Sequence, residues 1–437
     1  MQNSGNITTH GSIASGIDAL TVGGSVSVSN SAAILGGWGQ STGVSLAGET
    51  QALSNTGTIG ALSDHAVLGD ASGPDATVTI DNGGEIVGSI NAGTSQVSIA
   101  NQGSWIVRNF ADSNGDGVRD SWAVAVSNLG IASGNRIDNS GTLTLAAQPG
   151  SGIQSFDATG AYLPLGQSAN APVQDGAVQG QLLGVGTFTH SGLIDLTGGG
   201  SVVGNVLLIS NAQVAGSNGG GVFVSNGGRL LLNSELNEGG ANSRSDMLVV
   251  DSTATGSGGA TGLLVNNVGG QGALTEGNGI AVVNLLDTAV AASDANAFSL
   301  ARRVVAGPYE YQLYRGAPDG SGTQTWYLRS DIEPTPPAPP GPPGPPLPPE
   351  PRTPNFRPEV SLYGALPALA LVYNRTLVDT LHERVGEERP TAWQQPPAED
   401  ESTWGRPWGG GASSTAAASR TATARTQSAT PRSTTTT

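Results

Sequence analysis

The chain has 437 residues, with 66 glycines, 26 prolines and no cysteine, and 12% of its residues are charged and 5% aromatic. Glycine is at about twice its usual ~7% and charge at about half the usual ~25%, which is unlike the composition of an average enzyme. Glycine and proline together stay below the ~25–30% that marks non-periodic low-complexity chains, and 37% of the residues are hydrophobic. We therefore expect the chain to fold.

The balance of acidic and basic residues limits which classes of partner the chain can bind. The net charge of −16 comes from 34 acidic residues against 18 basic ones, all of which are arginine. No basic stripe is available to neutralise the phosphates of a nucleic acid, so we expect no nucleic-acid partner. The absence of cysteine removes disulfides and thiolate metal sites.

A short phrase recurs through the first half of the chain. Two alternating apolar residues lead into asparagine, a small residue, often glycine, stands two positions later, and an apolar residue follows, as in residues 78–86. The asparagines at positions 3, 30, 55, 82 and 101 are 27, 25, 27 and 19 residues apart. Units of this length cannot bury their own apolar face and must stack. The repeat predicts an all-β fold with parallel β-solenoid coils over residues 1–235. A β-sandwich or a disordered Gly/Ser tract is the alternative, but a sandwich does not explain the recurring Asn-x-Gly.

The asparagines of the phrase are predicted to form a turn ladder. The turn is expected to take asparagine and glycine because both tolerate positive φ. Asparagines stacked at the ~4.8 Å strand spacing can hydrogen-bond from coil to coil. The predicted ladder comprises Asn30, Asn55, Asn82, Asn101, Asn139 and Asn226, with His190 as a substitute in an asparagine position.

From about residue 236 to residue 330 the repeat gives way to longer strands with more aromatic residues. Residues 309–314 carry apolar side chains at the odd positions and Glu310 and Gln312 at even positions, as expected for a strand. These strands predict a cap on the open end of the solenoid, whose last coil would otherwise expose backbone edges. The predicted cap core comprises Leu248, Val250, Leu264, Val265, Tyr311, Leu313, Trp326 and Leu328.

Residues 331–358 are rich in proline and predict a semi-rigid linker. Residues 359–390 then predict a helix that Pro367 opens at its first position. One face of this helix carries an apolar stripe of Leu369, Tyr373, Leu377, Leu381 and Val385. A single helix with one apolar stripe needs a surface that buries it.

The motifs of the second half resemble a known family. They are residues 245–250, 262–270, 309–313, 326–329, 357–363 and 381–386. Together they are similar to the pertactin-type passenger of Gram-negative autotransporters, which belong to type V secretion systems. The resemblance implies a right-handed parallel β-helix, an autochaperone segment at about residues 236–330, the proline-rich linker, and a helix threaded through an outer-membrane β-barrel. It also implies as partners the barrel of the parent chain, the outer-membrane assembly machinery, and ligands on host or bacterial surfaces.

Both ends of the sequence are expected to be incomplete. Residues 1–7 have neither a charged segment nor an apolar run, so no signal peptide is visible. Residues 391–410 look like the start of the barrel, and residues 411–437 turn into a low-complexity Ser/Thr/Ala/Arg tail, which we interpret as a truncation or frameshift. We expect the parent protein to lie at the cell surface, in the outer membrane or in the medium.

One loop resembles the start of a calcium-binding loop. Oxygen ligands are available at Asp112, Asn114 and Asp116, from the main-chain carbonyl of Val118 and from Asp120. Residue 123 is alanine where a bidentate glutamate would be expected. The two interpretations are a structural Ca²⁺ site, which would be the chain's only cofactor, and a polar turn built by Asx side chains.

Three functions remain open at the level of sequence. The first is a surface adhesin that binds through a face of the rod or through loops such as residues 106–122 and 150–180. The second is a glycan-degrading enzyme on the same scaffold, which would need clustered carboxylates and arginines in a groove. The third is a stalk. The scattered acids and the four dispersed histidines, His10, His65, His190 and His382, give no catalytic motif, so we expect no enzymatic role.

Overall fold

The computed structural model describes residues 1–71, 75–93, 96–122, 124–146, 177–212, 220–251, 253–286, 293–318, 320–332 and 352–384. Most of the proline-rich linker, most of the loop at residues 150–180, the predicted barrel start and the tail lie outside the described residues.

One face of the coil stack is a parallel sheet, sheet A, formed by the strands that end in the repeated asparagines. Paired strands align these asparagines with one another, as Asn30 with Asn55 and Asn82 with Asn101. Side chains alternate between core and solvent, so that Ser25–Asn30 is buried at every second position. The strands of sheet A are Gln2–Asn3, Ser25–Asn30, Thr50–Asn55, Thr77–Asn82, Gln96–Asn101, Arg136–Asn139, Thr187–His190, Val222–Ser225 and Thr253–Thr255.

The second face, sheet B, follows the Asn-x-Gly turn. Its strands are also parallel, and the long strand Thr58–Ala71 continues around a corner, where its second half pairs with Val44–Gly48. The strands of sheet B are Ile7–Thr8, Ala33–Gly36, Thr58–Ala71, Glu85–Ala92, Ser104–Arg108, Thr142–Ala146, Leu193–Asp195, Arg229–Ser234, Thr261–Asn267 and Phe298–Leu300, joined at the corner by Ile17–Leu20 and Val44–Gly48.

The third face, sheet C, begins beside the second half of Glu85–Ala92, where the Ser127 hydroxyl accepts a hydrogen bond from the Ile90 amide. Its strands are Ala125–Asn128, Gln179–Leu183, Val206–Ser210, Met247–Asp251, Ile280–Leu285, Thr325–Arg329, Tyr309–Arg315 and Val304–Ala306. Pairing is parallel up to Ile280–Leu285 and antiparallel beyond it. The smaller elements are the hairpin Phe110–Ala111 with Ser121–Trp122, the pair Asp331–Ile332 with Thr353–Pro354, and the 3-10 turns Gly240–Asn242 and Ala295–Ala297.

The inward residues of the three sheets form one continuous apolar core from Ile17 to Leu328. The predicted all-β, parallel solenoid fold is therefore confirmed. The coils, however, extend further than the predicted boundary at residue 235, because Met247–Asp251, Thr253–Thr255 and Thr261–Asn267 still pair in parallel with the preceding coil. The stack of coils ends where strand pairing becomes antiparallel. The rise in aromatic residues after residue 236, on which the predicted boundary is partly based, does not coincide with that point.

A column of glycines explains the second half of the Asn-x-Gly repeat. At Gly84, Gly103, Gly141 and Gly192, an added Cβ atom would lie closer than 3.0 Å to the carbonyl oxygen of the glycine one coil earlier. At Gly57, it would lie equally close to the carbonyl oxygen of Ala32. None of these five glycines has positive φ. The expected reason for glycine, tolerance of positive φ, is therefore wrong at these positions. Close stacking of successive turns is the physical cause.

The helix α1 comprises Glu359–Arg384. The prediction that Pro367 opens it is wrong, since the helix begins eight residues earlier, where the Val360 amide bonds the Arg357 carbonyl and the Ser361 hydroxyl bonds the Pro358 carbonyl. Pro367 lies inside the helix, where its missing N–H removes one main-chain bond. The stripe residues Leu369, Tyr373 and Leu377 are exposed. The side chains of Leu381 and Val385 lie outside the described residues.

None of the helices in the described part of the chain is long and apolar enough to span a membrane.

Candidate functional site in the C-terminal cap

The end of the coil stack is closed by an antiparallel sheet, here called the cap sheet, formed by Ile280–Leu285, Thr325–Arg329, Tyr309–Arg315 and Val304–Ala306. Ile280–Leu285 and Thr325–Arg329 are buried at every position. Both faces are covered because one packs into the coil core and the other joins a second apolar cluster that includes Met247, Val249 and Tyr327. A strand buried on both sides reads as a nearly continuous apolar run, as in Ile280–Leu285, where Asn284 is the one polar residue.

A column of aromatic rings links the last coils to the cap sheet. The Phe188 and Phe223 rings stack with centroids 5.6 Å apart, and Phe223 and Phe298 stack at the same distance. Phe298 then meets Trp326 of the cap sheet edge-on at 5.0 Å. Such pairs add about 0.5–1.5 kcal/mol each beyond the area they bury. Trp326 therefore couples the cap sheet directly to the coil core.

The structure places most of the predicted cap core inside. Leu248, Val250, Val265, Tyr311, Trp326 and Leu328 are buried, and Leu313 is half-buried and packs against the core. Leu264 is a correction: it is only half-buried, and its neighbour Leu263 is fully buried in its place. Because side chains of a strand alternate between faces, Leu263 and Val265 point inward and Leu264 points outward.

Tyr311 ties two loops to the cap sheet. Its hydroxyl oxygen accepts a hydrogen bond from the Ala273 amide at 3.1 Å and lies 3.0 Å from the Asn237 carbonyl and 3.1 Å from the Ala273 carbonyl. Burial raises the pKa of this phenol to about 12, so the hydroxyl keeps its proton and can donate it to a carbonyl. The ring thus holds the chain segments around residues 237 and 273 against the cap.

Asp246 is a buried carboxyl that the sequence analysis did not single out. It accepts main-chain hydrogen bonds from Gly204 and Asn205 at 2.9 Å and from Asn233 at 2.7 Å. Burial raises its pKa, while these three donors oppose the rise. The carboxyl joins three separate chain segments at the start of Met247–Asp251. The signal in the sequence that could have identified Asp246 is a charged residue directly before an apolar strand.

Residues 352–359, here called the strap, follow the linker and pack on the cap. The Arg352 guanidinium donates to the carbonyls of Thr275 at 2.9 Å and Gly277 at 2.6 Å. Asn355 donates its amide to Ser330 at 2.7 Å and accepts from the Glu310 amide at 2.9 Å. The strap was predicted as linker, but its residues 352–358 belong to the cap because these bonds satisfy cap backbone groups that would otherwise face solvent.

Two side-chain contacts complete the strap. The Phe356 ring stacks on Tyr309 with centroids 5.3 Å apart. The Arg303 guanidinium bridges Glu310 at 2.8 Å and Glu359, in the first turn of α1, at 3.0 Å. Arg303 hydrogen bonds lower the pKa of Glu359, and the negative charge at this helix start is also favourable to the helix dipole.

The asparagines of the turns form a chain of side-chain hydrogen bonds. Each amide nitrogen donates to the amide oxygen of the next coil at 2.7–2.9 Å, from Asn3 through Asn30, Asn55, Asn82 and Asn101 to Asn139. His190 follows Asn139 in the register. Asn226 is a correction: the register pairs His190 with Ser225, so Asn226 is one residue beyond the ladder position and the asparagine series has already ended.

The loop of the candidate calcium site bonds mainly to itself. Asp112 accepts the amides of Asn114, Gly115 and Gly117, and Asp120 accepts the amide and hydroxyl of Ser113. Main-chain donors lower the pKa of Asp112. Within the described ranges, no group of three or more His, Cys, Asp or Glu side chains is placed to hold a metal ion. Asp112 and Asp120 thus hold the loop as a turn built by Asx side chains, and a structural Ca²⁺ at Asp112, Asn114, Asp116, Val118 and Asp120 stays a prediction.

Residues 210–313 match the family model described as autochaperone domain type 1. The search of curated proteins gives no significant match to the chain. The matched segment begins at the end of Val206–Ser210 and ends within Tyr309–Arg315, so it covers the last parallel coils and most of the cap sheet. This match supports an autotransporter passenger that carries its own autochaperone domain.

Proposed function

We propose that the chain is the passenger of a pertactin-type autotransporter whose cap starts the folding of the upstream coils at the outer membrane. The observation that carries the proposal is the position of the autochaperone match, which covers the point where parallel stacking ends in the antiparallel cap sheet. A cap that folds first offers a completed edge to the next coil. Stacking then proceeds one coil at a time, as in other solenoids.

The rod is proposed to act at the cell surface as an adhesin or as a structural stalk, with the outer-membrane assembly machinery and surface ligands as partners. Its sheets present polar side chains outward along many coils, which suits an extended binding face or a spacer equally. The autochaperone match gives no support to the glycan-degrading alternative. Deletion of residues 1–235 from the displayed protein separates the two roles, since adhesion is lost for an adhesin and kept for a stalk.

The folding role is tested by comparing two leucines of equal burial. Leu263 lies in the matched segment and Leu53 in an early coil, and both are buried. Each Leu→Ala change should cost about 2–5 kcal/mol. If the cap folds first, L263A slows refolding by most of its stability loss, whereas L53A leaves refolding unchanged and speeds unfolding.

The measurement is refolding and unfolding of the full chain followed by far-ultraviolet circular dichroism over a denaturant series. L264A is the matched control, because Leu264 is only half-buried and should change both rates little. Slower refolding in L53A than in L263A would contradict the proposal.

A further inference from the structure

A pocket of about 240 Å³ lies on the side of the coil stack, away from the cap. Its lining includes Asp64, His65, Ser89, Arg108, Asn109 and Phe110. These residues come from the corner of Thr58–Ala71, from Glu85–Ala92 and from the end of Ser104–Arg108, which are three successive coils. The hairpin that ends at Trp122 borders the pocket through Ser121.

Positive charge is concentrated in the pocket and beside it, on a protein that is acidic overall. Residues 1–235 contain only Arg108, Arg119, Arg136 and Arg229 as basic residues, and two of them meet here over one ring. The guanidinium carbons of Arg108 and Arg119 lie 5.1 Å and 4.7 Å from the centroid of Phe110. Arg108 is nearly buried and pairs with Asp64 at 2.5 Å.

Arg119 is the surplus charge of this cluster. It is not itself a lining residue and lies beside the pocket, over the Phe110 ring that lines it. Its side chain is exposed, and no carboxylate of the described ranges lies within ion-pair distance of it. Desolvation and the nearby Arg108 lower the pKa of Arg119. One carboxylate thus faces two guanidinium groups, and an added anion would relieve their repulsion.

Two neutral side chains of the pocket offer hydrogen-bond acceptors to a ligand. The Asn109 side chain is buried, and its Oδ1 has no hydrogen-bond partner among the described residues. The Ser89 hydroxyl donates to the Asp64 carbonyl at 3.0 Å and lies 3.2 Å from His65 Nδ1. Since that hydroxyl has one hydrogen, Nδ1 must carry the proton of the His65–Ser89 bond, which leaves Nε2 of the neutral ring as an acceptor. Both acceptors suit a ligand with hydroxyl groups.

The backbone at Asp64 is held in an unusual conformation. Asp64 has φ of 69°, the only positive value among the non-glycine residues that the structure describes. A Cβ atom on Gly88 would collide with the Asp64 carbonyl, so the neighbouring coil is shaped to accept this kink. Non-glycine residues with positive φ are strained, and such residues cluster at ligand sites.

We propose that this pocket binds one unit of an acidic saccharide, with the sugar carboxylate reaching Arg119 beside the pocket and sugar hydroxyls donating to Asn109 Oδ1 and His65 Nε2. The volume is below the ~300–1,000 Å³ of sites for drug-sized ligands, so a single sugar unit fits. The site lies outside the autochaperone match and does not depend on the folding role of the cap. It would give the passenger a ligand of defined chemistry.

Calorimetric titration of the full chain tests the proposal with three probes: a trimer of β-1,4-linked glucuronic acid, cellotriose as its neutral counterpart, and inorganic phosphate. We expect the glucuronate trimer to bind at least tenfold more tightly than either of the others. R119Q should weaken its binding about tenfold, the loss of roughly one charge-assisted hydrogen bond. R136Q should leave binding unchanged, because Arg136 is an exposed arginine of the same rod beside Asp138.

Thermal unfolding of each variant shows that it is folded. N109L provides a second test, because it removes the Asn109 Oδ1 acceptor without changing the charge of the pocket. Failure of the trimer to bind, equal binding of cellotriose, or an equal loss in R136Q would overturn the proposal. Phosphate binding as tight as the trimer would reduce the pocket to a simple anion site and overturn its saccharide specificity.

Discussion

The amide nitrogen of Asn139 lies 3.3 Å from Nδ1 of His190, and Nε2 of the same ring lies 3.0 Å from the Arg229 carbonyl. An amide nitrogen only donates and a carbonyl only accepts, so His190 must be the neutral tautomer with its proton on Nε2. The asparagines before it also donate to a carbonyl at the start of the next strand of sheet B, as Asn101 does to Thr142. His190 therefore reproduces two bonds of a ladder asparagine, the one accepted from the preceding coil and the one donated to sheet B.

This geometry predicts a pH dependence of stability. Burial lowers the pKa of His190 from 6.5 to about 4. The unfolded chain takes up a proton below pH 6.5 and the folded chain only near pH 4, so the ring's contribution is complete above pH 6.5 and is lost as the pH falls through this window. The expected loss is roughly 2 kcal/mol at pH 5.

Urea denaturation of wild type and H190N at pH 7 and pH 5 measures this contribution. H190N should show a smaller loss between the two pH values, while the exposed His10 changed to asparagine should behave as wild type. Equal losses in wild type and H190N would show that the His190 ring does not titrate in the expected way.

The glycine column predicts a large difference between two chemically identical changes. A Cβ atom on Gly103 would collide with the Gly84 carbonyl, whereas at Gly93 no atom lies within 4 Å. G103A should lower the free energy of unfolding by about 1–3 kcal/mol or more, the cost of overpacking, and G93A should leave it nearly unchanged. Denaturant midpoints of both variants check this. A stable G103A would mean that successive coils separate at little cost.

The strap predicts that the cap depends on residues beyond the proline-rich segment. Asn355→Pro removes the amide that bonds Ser330 at 2.7 Å. We expect the strap to detach from the cap. Since the Glu310 amide donates its hydrogen bond to the Asn355 carbonyl, hydrogen exchange at that amide should become at least tenfold faster. Ser361→Ala is the control, because it removes only a local bond to Pro358 in α1. Unchanged exchange at Glu310 would show that the strap contributes nothing to cap protection.

The repeat alone was sufficient to predict the coils and most of the ladder, because strands with period two and turns with fixed chemistry leave a local pattern. The same reasoning missed where the coils end. Strand direction between Ile280–Leu285 and Thr325–Arg329 depends on pairing across some forty residues, which no local pattern records. It also misplaced Leu264 by one residue, since a strand assignment without register cannot say which face is inside.

The sequence by itself determined the stacked β architecture, the asparagine series and its histidine substitute, since each depends on residue type at a repeating interval. Only the tertiary structure decided that glycine is required by close contact between coils, that the strap joins the cap, and that Asp64, Arg108 and Asn109 line one pocket. Those facts depend on distances between residues far apart in the chain. Such distances are set by how the coils stack.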